Sequence, residues 1–100
     1  MIGVPEVKSQ VRNYAKSEYS GTKKFHRVEI EGEYAFVGVF IKTGLIRFRP
    51  FVVALHHPSQ TVVAEEDLSK WGFKDDRELM NDKIDEWLHM SEQELRSGSL

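Results

Sequence analysis

Cysteine is missing from all 100 residues. That removes disulfides, thiolate metal sites and cysteine nucleophiles, and it fits a reducing, cytoplasmic setting. Long apolar runs are missing too. None approaches the roughly 20 residues that a membrane-spanning helix needs, and the opening MIGVPEVKSQVRNYAKS carries proline and charges where a signal peptide requires an apolar block. The expected chain is therefore soluble and makes no membrane contact. Glycine-rich phosphate cradles leading into a helix are also lacking. Only His56-His57-Pro58-Ser59-Gln60, with Glu65, Glu66 and Asp67 shortly after, invites a metal or acid–base reading. Neighbouring strand residues point to opposite faces, so adjacent histidines chelate poorly, and Ser59 reads as a turn residue before it reads as a nucleophile. The expectation is a protein that is not an enzyme, with no catalytic residue, no metal and no cofactor.

What is present suits one small domain. An apolar fraction of 40% over this length can bury roughly two thirds of the unfolded surface, so residues 1–96 are expected to form a single compact α+β domain and 97–100 a flexible tail. The net charge of −2 conceals an asymmetry: residues 1–57 carry nine Lys/Arg against five Asp/Glu, and residues 58–100 carry five against eleven. Such polarity suits an acidic partner or head-to-tail self-association, although an acidic solvated helix explains it as well.

Val4, Val7, Val11 and Tyr14 recur at three- and four-residue steps behind Pro5, which predicts an amphipathic helix over residues 5–18. Phe25 to Ile30 alternates as a strand does. Gly32 stands at the first central position of the turn Glu31-Gly32-Glu33-Tyr34, suiting a type II′ hairpin into a second strand, Tyr34 to Lys42. A tight turn at Thr43-Gly44 leads to a third strand over Leu45 to Leu55, and Thr61 to Ala64 adds a short fourth. Glu65 to Trp71 reads as one or two helical turns. Asp75 followed by Glu78 resembles a capping box for a longer C-terminal helix, whose apolar face is Met80, Ile84, Trp87, Leu88 and Leu95. The fold class is thus α+β: an N-terminal helix, a three- to four-stranded antiparallel meander and a C-terminal amphipathic helix.

Two-residue turns fix register, placing Val28 opposite Val37, Ile41 opposite Ile46 and Val39 opposite Phe48. One face then holds His26, Val28, Ile30, Ala35, Val37, Val39, Ile41, Ile46 and Phe48, with Ile84 and Trp87 expected in the same core. The other face collects Phe25, Arg27, Tyr34, Phe36, Phe40, Lys42, Arg47, Arg49 and Phe51. Arg47 opposite Phe40 allows a cation–π pair that needs no ligand. An aromatic face of this kind must be covered by something: a partner, or a helix on each side of the sheet with the arginines at the rim.

Tyr34-Ala35-Phe36-Val37 is similar to the middle of the RNA-recognition-motif signature, which implies base stacking on outward rings. The sequence departs from it at Gly32, Glu33 and Val39, and the order of elements differs. That order, helix, three strands and helix, resembles a double-stranded-RNA-binding domain instead, whose final helix is basic where this one is acidic. Neither resemblance identifies a family. The leading expectation is a small non-enzymatic protein-interaction module, acting as a regulator, inhibitor or assembly factor. Its partner is another protein or a second copy forming a homodimer, held through Arg27, Tyr34, Phe36, Phe40, Lys42, Arg47 and Arg49. The alternative is nucleic-acid binding by the same face.

Overall fold

The computed structural model describes residues 2–18, 21–42, 45–70 and 75–97. Helix α1 (Val4–Glu18) begins where the Gly3 carbonyl accepts the first free N–H groups, those of Glu6 and Val7, at 3.1 Å. Four strands follow: β1 (Lys23–Glu31), β2 (Tyr34–Lys42), β3 (Phe48–His56) and β4 (Thr61–Asp67). They form one antiparallel sheet in the order β1-β2-β3-β4. A 3-10 turn, Leu68–Lys70, precedes helix α2 (Asp76–Leu88) and the short helix α3 (Glu92–Ser97). The α+β arrangement matches the expectation. The Thr43-Gly44 turn, the stop at Trp71-Gly72 and the tail beyond Ser97 lie outside the described residues.

The β1–β2 register follows from the turn. Gly32 takes φ +60°, Glu31 pairs with Tyr34, and Val28 faces Val37. Between Phe25 and Arg27 the register shifts at His26, a bulge that turns His26 away from the aliphatic face expected for it. Its Nε2 donates to Asn81 Oδ1 of α2 at 3.1 Å, while Phe25 packs under α1.

The β2–β3 register differs from expectation by three residues. Lys42 pairs with Phe48, Ile41 with Arg49, Val39 with Phe51 and Gly38 with Val52. Lys42 thus pairs with Phe48 rather than with Leu45, and an odd shift exchanges every side chain between faces. Phe48 therefore stands on the side of α2, and Arg49 on the side of α1. Arg47 lies in the loop and pairs with no strand residue.

Two cores result where one was expected. Beneath α1, Val7 and Val11 are fully buried on Ala35, Val37, Val39, Ile41, Phe51 and Leu55. Beneath α2 and α3, Phe36, Val52, Ala54, Ala64 and Leu68 meet Met80, Ile84, Trp87 and Leu95. Val28 and Val37 thus belong to a different core from Ile84 and Trp87. The sheet is the middle of three layers, with a helix layer on each side.

Gly38 explains how α2 comes so close. A Cβ there would lie 3.1 Å from Met80 Cε and 3.4 Å from Ile84 Cδ1, so the bare backbone of β2 is the seat of the helix. Asp75 caps α2 by accepting from the Arg77 N–H at 2.8 Å. The long C-terminal helix expected from Asp75 onward is instead two. His89 closes α2, and Ser91 opens α3 with a reciprocal capping box, the Ser91 N–H to Glu94 Oε1 at 3.1 Å and the Glu94 N–H to Ser91 Oγ at 3.2 Å.

Candidate functional site

The face expected to receive a partner is largely covered. Tyr34, Phe36, Phe40, Lys42 and Arg27 do share one side of the sheet, but α2 lies across its middle. Phe36 is only 3% exposed, its ring centroid 6.5 Å from that of Trp87. Arg27 is clamped at the rim, with Nε 3.1 Å from Glu29 Oε1 and Nη2 3.0 Å from Asp85 Oδ1 of α2. Burial works against its charge, but the two carboxylates more than offset that and hold the guanidinium above its ordinary value. Tyr34 meets His56 near the far end of the sheet, the ring centroids 5.2 Å apart and the planes inclined at 58°. These three residues build the layer contact and its edge. Arg49, on the opposite face, pairs with Asp67 at 3.4 Å.

Phe40 and Lys42 have a different setting, because α2 starts beside Phe40 and both side chains are partly exposed. A cleft of about 220 Å³ opens there, lined by Lys24, Phe40, Phe48, Asp75, Asp76 and Arg77. Cross-strand pairing places Lys24 opposite Phe40, and Phe48 opposite Lys42. The cations lie on the rings: Lys24 Nζ is 4.7 Å from the Phe48 centroid and Arg77 Cζ 5.7 Å from that of Phe40. His26 meets the Phe40 ring edge-on at 6.4 Å. Gly21 admits the close approach of the chain at this end, since a Cβ there would strike the Lys42 carbonyl, and the Lys42 N–H donates to the Thr22 carbonyl at 2.8 Å.

Beyond the cleft the β2–β3 loop carries Leu45 and Ile46, 92% and 93% exposed, followed by exposed Arg47. The sequence pattern predicts a strand for both aliphatic residues and a core position for Ile46; the shifted register starts β3 only at Phe48 and leaves both in the loop. Isolated exposed aliphatics are common on protein surfaces, but two in succession at a loop tip among cations form a contact-competent patch. The signal is present in the sequence Leu45-Ile46-Arg47-Phe48-Arg49, where the apolar pair precedes the arginines.

At the opposite end of the sheet the histidines serve two turns. His57 Nε2 donates to the Gly32 carbonyl at 2.8 Å, and the His57 N–H donates to the Glu33 carbonyl at 3.0 Å. His56 Nδ1 lies 2.6 Å from Ser59 Oγ, and its Nε2 lies 3.6 Å from Glu33 Oε1. The β3–β4 turn is thereby tied to the β1–β2 turn. Gln60, at φ 57°, completes it. Among the described residues no group of three or more His, Cys, Asp and Glu is arranged to hold a metal ion, and no helix is long and apolar enough to cross a membrane.

Compared with known proteins, the chain matches no family model, and no curated protein or solved structure shows a significant match to it.

Proposed function

We propose that this chain is a non-enzymatic protein-interaction module that engages its partner through the end of the sheet, with Leu45 and Ile46 as anchors. Phe40, Lys42, Phe48 and Arg47 complete the surface. The observation that carries this reading is the adjacent pair of aliphatic side chains, almost wholly exposed, beside a cleft whose rings and cations are already in place. Anchors of this kind give affinity by burial, and the surrounding charges steer encounter and select against wrong partners. The complementary ligand is a segment with apolar side chains flanked by carboxylates. Asp67, Asp75 and Asp76 stand at the same end, so a phosphate backbone would meet repulsion as well as attraction, which favours protein over nucleic acid.

Selection from a random-peptide display library tests the reading. Peptides pairing acidic with apolar residues should be enriched on the wild-type chain. Enrichment should be lost on a Leu45→Ser, Ile46→Ser variant that keeps its circular dichroism, while a modest rise in salt should weaken capture without abolishing it. Equal enrichment on both chains would sink the proposal, and so would tight, salt-sensitive binding of a mixed-sequence oligonucleotide with no peptide enrichment.

A further inference from the structure

A second surface on the same molecule is opposite in charge to the loop tip and aliphatic within. Between α2 and the 3-10 turn lies a groove of about 340 Å³, lined by Leu68, Leu79, Asp82, Lys83 and Glu86. Its floor is aliphatic and its rim acidic. Lys83 does not reverse that sign, because its Nζ is held 2.8 Å from Glu86 and 3.1 Å from Glu66. Burial disfavours its charge, but these two partners more than offset this and keep the ammonium above its ordinary value, so two carboxylates hold one cation and Asp82 adds a further negative charge to the lining. The groove has room for two branched aliphatic side chains.

We infer that the partner is a second copy of this chain, with the Leu45–Ile46 tip of one copy seated in the α2 groove of the next. This rests on the tip being a protein-binding surface. Arg47, and Lys42 at the base of the loop, then approach Asp82 and Glu86 as the two aliphatic side chains reach Leu68 and Leu79. Charge selects this geometry over its rivals. Two tips meeting head to head would bring Arg47 and Lys42 against their own copies, with like charges opposed. Pairing of sheet edges is blunted on both sides, by the bulge at His26 and the lysines at Lys23 and Lys24 on β1, and by the register shift between Ala54 and Leu55 opposite β4. A tip-to-groove contact joins two different surfaces of the chain. Each copy added presents a fresh tip and a fresh groove, and the product is an open series or a ring, the smallest ring being a pair in which each tip fills the other's groove.

Sedimentation velocity across a concentration series tests this directly. The wild-type weight-average mass should climb with concentration and fall back as salt is raised. A tip variant (Leu45→Ser, Ile46→Ser, Arg47→Glu) and a groove variant (Asp82→Lys, Glu86→Lys), each checked for native circular dichroism, should both remain monomeric alone. Mixed in equal amounts they should form a dimer and nothing larger, because only one intact tip and one intact groove remain to be joined. A wild-type chain that stays monomeric throughout would overturn the inference, as would a tip variant that assembles as the wild type does. Should the monomeric wild type still select acidic and apolar peptides through Leu45 and Ile46, the protein-binding reading stands and only the choice of a second copy falls.

Discussion

Phe36 and Phe40 lie four residues apart on the same face of the same strand, yet they belong to different regions of the molecule. Over Phe36 the helix α2 is present, with Met80, Ile84 and Trp87 closing a core from which water is excluded. At Phe40 the helix has just begun, and the ring forms the floor of an open cleft beneath Arg77. The pattern along a strand determines which side chains share a face, but the length and footing of the covering helix determine which of them remain available. An aromatic face is thus divided into structural and contact portions by its neighbour in the next layer.

The sharpest way to break this division is to remove the cover. Trp87→Ala should cost about 3–5 kcal/mol, comparable with the lower range of stability of a small domain, and Phe36→Ala should fall in the same range. Leu45→Ser or Ile46→Ser should change stability by no more than about 0.5 kcal/mol. Urea unfolding of the four variants provides the comparison, and equal losses at Phe36 and Ile46 would contradict it. A smaller perturbation acts on the seat of the helix. Gly38→Val should cost about 1–3 kcal/mol by overpacking, because its branches must displace Met80 and Ile84, and the midpoint of thermal unfolding should fall accordingly. Gly38→Ala should be milder, since the nearest atom is the flexible end of Met80.

How far these regions were legible before the fold was known depended on whether a local feature fixed the register. Gly32 did so for the first hairpin, and the pairing of Val28 with Val37 followed, as did the common face of Arg27, Tyr34, Phe36, Phe40 and Lys42. Nothing comparable fixes β3. From Pro50 to Leu55 every residue is buried, because α1 covers one side and α2 the other, so the two-residue alternation that would report the register is absent. The three-residue shift left Phe48, Arg49 and Ile46 wrongly placed and hid the exposed tip within an expected strand. The His26 bulge escaped notice for a similar reason, since no glycine or proline marks it. The break between α2 and α3 was marked, by Ser91 and Glu94 at capping-box spacing, but the apolar spacing from Met80 to Leu95 concealed it.

That capping box yields the smallest of the expected effects, on the outer edge of the covered region. The Ser91 N–H, and then the Ser91 hydroxyl, hold the Glu94 carboxyl below its ordinary range. A depressed carboxylate stabilises the folded state above its unfolded pKa, and that contribution is lost as pH falls through the lower folded value. An NMR titration should therefore find the Glu94 midpoint below the usual glutamate value, rising towards it in Ser91→Ala. Fraying of α3 should accompany protonation and leave the β2–β3 end undisturbed.

The division between covered and open portions is tested most directly by mapping solvent access along β2 and its loop with a soluble nitroxide in NMR. Signals from Leu45 and Ile46 should broaden strongly and those of Phe40 and Phe48 in part, with Phe36, Val52 and Trp87 protected. Comparable broadening at Phe36 and Val52 would mean that α2 leaves the sheet in solution and that the whole aromatic face is open to a partner, contrary to the division drawn here.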